Sequence, residues 1–110
     1  VIENLSLKLI SPPAFLLTKI AAFQDRGASD YYGSRDMEDL LTVIDGRRKI
    51  SDEIAAASPE LVNYISQFFD DVLTQRSFQD ALPGHLPADS ASQARLPGLR
   101  AKLITISSLS

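Results

Sequence analysis

The chain has 110 residues, of which 45% are hydrophobic and 23% charged, the balance of one globular domain with a modest core rather than of a disordered segment. Its formal net charge is −3 and it contains no cysteine. The acidic balance argues against a dominant electrostatic footprint for nucleic acid and gives no support for binding an anionic membrane surface, while the lack of cysteine excludes disulfides and thiolate metal sites.

The apolar runs are too short to span a bilayer, and the first residues lack the basic start and apolar stretch of a signal peptide, so the expected compartment is the cytoplasm. In chain order, Leu5, Leu7 and Leu9 alternate with Ser6 and Lys8, the period of a half-buried strand over residues 4–10. A lone strand needs a partner, so the expectation is pairing with another polypeptide or a homodimer with the same strand of a second copy. The chain opens on Val1 directly in this alternation, which reads as a piece of a longer protein. Ser11-Pro12-Pro13 then ends the strand and opens a helix over about residues 13–25, with Phe15, Leu16, Ile20 and Phe23 on one face. Residues 27–33 form a loop bounded by glycines. Ser34 is an N-cap, Asp36 sits in the acidic first turn, and Met37, Leu40, Leu41 and Ile44 recur at helical spacing until Asp45-Gly46. Residues 51–57 read as a short helix. A longer one opens on Ser58-Pro59-Glu60 and carries Leu61, Ile65, Phe68, Phe69, Val72 and Leu73. The pattern breaks over 77–82, residues 83–87 are a connector, and a last helix is expected over about residues 92–106, with Pro97 starting or kinking it. The fold class is therefore mostly α: about five helices around one core with a short N-terminal β-strand. The expected core comprises Leu16, Ile20, Phe23, Leu40, Leu41, Ile44, Leu61, Ile65, Phe68, Phe69, Leu99 and Leu103.

Few residues can carry chemistry. Lys19 lies inside the apolar arc of the first helix, flanked by Phe15, Ala22 and Phe23, so it must snorkel, find a carboxylate or aim at a phosphate. Asp36 and Asp39 are three apart on the second helix, and Arg35 and Asp39 are four apart, spaced to pair. Asp36 falls beside the apolar stripe. Acids at a helix start ordinarily complement the dipole. Arg26, next to Asp25 before the loop, reads as solvated or locally paired. Tyr31 and Tyr32 could stack on a base or cover the core edge. His85 is the single histidine, and with no cysteine and no second histidine the composition disfavours a zinc site. There is no Gly-x-Ser-x-Gly elbow for a serine nucleophile and no Gly-x-x-x-x-Gly-Lys phosphate loop. His85 reads as a loop residue.

The order Lys19-x-x-Ala22, Arg26, a glycine-bearing loop, then Arg35-Asp36-x-x-Asp39-Leu40 resembles the C-terminal half of the nucleotidyltransferases of the abortive-infection toxin family. The resemblance covers under a third of the chain. It implies transfer of a nucleoside monophosphate from a nucleoside triphosphate to an acceptor, with divalent metal such as Mg2+ in the intact enzyme. On that likeness Lys19 contacts phosphate, Asp36 is the leading catalytic acid and Asp39 the second, and Arg35 and Arg26 help to hold the nucleotide. Positioning and charge neutralisation supply most of phosphoryl-transfer catalysis, which suits such a set. This chain departs from the family at Thr18, where a Glu is usual, and at Glu38, where an aromatic is common. Nothing in it matches the Gly-Ser or Gly-Thr turn and strand carboxylates that hold the metal. The expectation is therefore a helical C-terminal portion that holds no metal and is inactive alone. Against it stands a non-catalytic helical interaction module whose Lys19 and Asp36 form a structural ion pair. A helical nucleic-acid binder is disfavoured by the acidic balance, and a nucleic-acid acceptor has no support in composition.

Overall fold

A computed structural model describes residues 11–26 and 30–109. Helix α1 spans Pro12–Arg26, α2 Arg35–Gly46, α3 Ile50–Ala55, α4 Pro59–Leu73 and α5 Arg76–Ala81. A 3-10 turn over Leu82–His85 follows, then the one-turn α6, Ser90–Gln93, and the final α7, Leu96–Ser107. The chain is mostly helical, with no strand among the described residues. The expected strand over 4–10 lies outside them.

The helix starts are chemical. Pro12 and Pro13 occupy the first turn of α1, where a missing N–H has no intrahelical partner to lose, and Ser11 Oγ accepts from the Ala14 N–H at 3.3 Å. Ser34 caps α2 from an extended backbone, its side chain accepting from the Met37 N–H at 3.2 Å. Ser58 does the same for α4, accepting from Leu61 N–H at 3.4 Å with Pro59 in the first turn. At the other end of α2, Lys102 on α7 donates to the carbonyls of Ile44, Asp45 and Arg47 at 3.1, 3.0 and 3.3 Å. A cation there satisfies orphan acceptors and meets the negative end of the helix dipole. Arg47 forks onto Glu53 at 2.9 and 2.6 Å and fixes the turn into α3.

The central packing is α4 against α7 and α1, with α2 laid on α1 and α7 and with α3 closing the end between α1 and α7. Of the expected core, all but Leu61 are buried, and Leu61 packs half-buried against the rest. Met37, Ile50, Ile54, Val72, Phe78, Leu82, Leu86 and Ile106 join them. Phe23 of α1 meets Phe68 of α4 edge-on at 5.9 Å, and Phe68 meets Phe69 in the same way at 5.1 Å.

The C-terminal third differs from its sequence expectation. Residues read as a broken pattern form α5 and the 3-10 turn, because Phe78, Ala81 and Leu82 are buried there. Helices this short are marginal by themselves and exist through tertiary packing, which leaves no long period to read. The last helix starts at Leu96, after the separate turn α6. Pro97 stands in its first turn, so it starts the helix rather than kinking it.

Candidate functional site

The site lies where α1 passes over the first turns of α2. Lys19 and Arg26 are on α1, and Ser34, Arg35, Asp36 and Asp39 are at or near the start of α2. Lys19, Arg26, Arg35, Asp36, Asp30 and Gly33 line one open cleft of about 470 Å³, which Ser34 also edges. Asp39 stands beside it, paired with Lys19. All five residues named from the sequence thus fall in one neighbourhood. Asp30, Gly33 and Ser34 belong to the wall too, and only the glycine and the cap gave a sign of that stretch in the sequence.

Lys19 keeps 26% of its side chain exposed. Its stem lies along the Phe15 ring, with the ammonium 5.6 Å from the ring centre, the geometry of a snorkelling lysine with a cation–π contact. The ammonium sits 2.8 Å from Asp39 Oδ2 and 3.9 Å from Asp36 Oδ1. The close ion pair is therefore with Asp39, and Asp36 is at the outer edge of contact. Arg26 serves Asp36 instead: its Nη2 lies 3.1 Å from each carboxylate oxygen. Asp36 is the most enclosed acid of the group at 11% side-chain exposure, whereas the Arg26 side chain is 68% exposed. Arg35 lines the cleft and makes no ion pair among the described residues, so the local Arg35–Asp39 pairing open to helical spacing is replaced by a cross-helix one. Thr18, in the position of the family's Glu, turns its hydroxyl back to the Ala14 carbonyl at 3.1 Å and adds no charge.

Residues 30–34, which lead into α2, are tied by several contacts. Asp30 Oδ1 accepts from the Gly33 N–H at 2.7 Å, and the Asp30 carbonyl accepts from the Ser34 N–H at 3.2 Å. Tyr31 stacks on Phe23 with ring centres 5.6 Å apart and meets Phe78 edge-on at 5.6 Å. It covers the core edge. Tyr32 is 70% exposed, and Gly84 leaves room for its ring, because a side chain at 84 would strike it. His85 Nε2 donates to the Tyr31 carbonyl, which ties this loop to the 3-10 turn. His85 is thus a structural strut, and it also lines a smaller cleft of about 310 Å³ between α2, this turn and α7, where Arg95 pairs with Asp45 at 3.0 Å.

The main cleft is lined by charges of both signs. Three cations, Lys19, Arg26 and Arg35, face Asp30 and Asp36 on its walls. It does not fit the magnesium that the family resemblance implies. Mg2+ needs near-octahedral oxygen ligands, and of the three carboxylates at hand Asp39 and Asp36 are paired with Lys19 and Arg26, while Asp30 accepts from the Gly33 N–H. Among the described residues no group of three or more His, Cys, Asp or Glu side chains is placed to hold a metal ion. No helix there is long and apolar enough to cross a membrane. No protein-family model matches the chain, and neither a curated protein nor a solved structure matches it.

Proposed function

We propose that this chain supplies the phosphate-binding helical face of a nucleotidyl-transfer site, with a nucleoside triphosphate as its ligand and the cytoplasm as its compartment. The observation that carries the reading is the open cleft on which Lys19, Arg26 and Arg35 converge around Asp36. Two of these cations come from α1 and one from α2, so the packing of the helix pair sets their spacing before any ligand arrives. Lys19 and Arg35 would hold phosphate oxygens, with Arg26 beside them, and Asp36 would act next to the reacting groups with Asp39 behind it. The metal-holding carboxylates have to be other residues than these. By itself the chain is expected to bind nucleotide weakly and to transfer nothing.

Backbone NMR of the chain titrated with ATP, GTP, CTP and UTP in the presence of magnesium tests this. The expected result is a set of shifts confined to the α1–α2 cleft, with affinities on the order of 1 mM, that is lost in Lys19→Ala and Arg35→Ala. A cleft that stays silent at saturating nucleotide rejects the reading.

A second reading has its own observation. The 2.8 Å Lys19–Asp39 contact and the Arg26–Asp36 pair are what a non-catalytic helical module needs to lock α1 on α2. On that reading Lys19→Met costs stability while nucleotides leave the spectrum unchanged.

A further inference from the structure

The cations of the cleft are unequal. Arg35 makes no ion pair among the described residues, yet Lys19 is 2.8 Å from Asp39 and Arg26 is 3.1 Å from both oxygens of Asp36. Exposure differs within each pair. Lys19 is confined by Phe15 and keeps 26% exposure, while its partner Asp39 keeps 37%. Asp36 is 11% exposed, while its partner Arg26 is 68% exposed. Asp39 can return to water at small cost, because a half-solvated pair gains little over its separately hydrated ions; Arg26 stays, because its departure would strand the enclosed Asp36 carboxylate. Lys19 and Asp36 remain at the cleft wall, 3.9 Å apart.

We propose that Asp39 acts as a resident counter-anion, and that a phosphate-bearing ligand enters this cleft by ion-pair exchange. A phosphate first meets Arg35, the cation without a carboxylate partner among the described residues. It then replaces Asp39 at the Lys19 ammonium, while Arg26 stays on the enclosed Asp36. No bond is made or broken; the ligand's oxygens take over the contact that the Asp39 carboxylate holds in its absence. The proposal rests on the reading of the cleft as a phosphate site, and it has a consequence that reading lacks. Asp39 opposes phosphate binding, so removing its charge tightens the complex. If Asp39 helped to hold the phosphate through a metal, removing its charge would weaken it.

The test is an NMR titration with inorganic tripolyphosphate, with chelator present to remove metal, on the wild type, Asp39→Asn and Glu38→Gln. Glu38 is a neighbouring acid of the same helix that faces the smaller cleft and makes no ion pair among the described residues, so it controls for bulk charge. Asp39→Asn should bind tripolyphosphate roughly two- to fivefold more tightly than the wild type, the range that the loss of one exposed ion pair allows, with Glu38→Gln near the wild type. In the wild type the Lys19 ammonium and the Asp39 carboxyl resonances should move together along the titration. Equal or weaker binding by Asp39→Asn overturns the exchange while the phosphate reading stands, provided the wild type responds at the cleft. Equal tightening by both variants overturns it as well, in favour of bulk charge. If Asp39→Asn does not fold, the wild-type titration decides, and a static Asp39 carboxyl beside a moving Lys19 ammonium overturns the proposal. Silence at the cleft in wild type and variant alike removes the phosphate reading and the exchange with it.

Discussion

Asp89 shows how a single carboxylate ties fold stability to pH. It caps α6, with Oδ2 accepting from the Ser92 N–H at 2.9 Å and Oδ1 from the Ser92 hydroxyl at 2.8 Å. Those bonds, the backbone one first, hold its carboxyl below the ordinary 3.8. Glu53 is held below its ordinary 4.5, chiefly by the hydrogen bond from Arg47. A carboxyl whose pKa is lower folded than unfolded contributes stability that is complete above the unfolded value and is lost as pH falls through the folded one. Both groups therefore weaken the fold on the acid side, below about pH 4.5 for Glu53 and below about pH 4 for Asp89. Urea midpoints followed across that range should fall more steeply for the wild type than for Asp89→Asn, which keeps an N-cap acceptor without a titrating charge. At the cleft, the sequence placed Lys19, Arg35, Asp36 and Asp39 on the correct two helices because helical period is local, and it left Arg26 just past the end of a helix whose last residue it is. It did not show the pairing. Spacing offered Asp39 to Arg35, but α1 brings the Lys19 ammonium to 2.8 Å, and that contact depends on how two helices cross.

Elements differ in how much of their stability is their own. Helices α1, α2 and α4 have long periods and clear first turns, and their existence was legible before any packing was known. Their ends, by contrast, depend on partners far along the chain. The C-terminus of α2 is closed by Lys102, more than fifty residues later, which donates to three carbonyls. Replacing Lys102 by Met keeps most of the stem and removes the charge. The loss should be about 1–2 kcal/mol, from charge-assisted hydrogen bonds and the dipole together, read as a lower urea midpoint with an unchanged slope. Because Asp45 and Arg47 border this end, hydrogen exchange should rise first over the last turn of α2 and the turn into α3. The first turn of α2, which carries Asp36, should keep its protection. Helix α5 and the turn after it had no such signal in the sequence. Six residues are too few for a period, and Phe78 is held by Tyr31, a residue far earlier in the chain.

At the scale of the whole molecule, one chain of aromatic contacts joins the site to the core. Phe23 touches Tyr31 and Phe68, Tyr31 touches Phe78, and Phe68 touches Phe69. Phe23 is 2% exposed and lies three residues before Arg26, so it anchors both the end of α1 and the loop that starts the cleft. Phe23→Ala should cost about 3–5 kcal/mol, a large share of the stability of a domain this size. Thermal melting measures that cost, and in the same variant the Gly33 and Arg35 amide resonances should broaden or shift as Tyr31 loses its stacking partner. The sequence by itself determined that the chain is helical, which residues form its centre, and which five polar side chains stand apart, because patterning and capping act within a few residues. Only the tertiary structure decided that Tyr31 covers the core and His85 braces the loop, that Asp39 rather than Asp36 closes on Lys19, and that Arg35 is left lining the cleft. Each of those outcomes depends on the crossing of α1 over α2 and the return of the C-terminal third beneath them, and such long-range geometry leaves no period in a sequence.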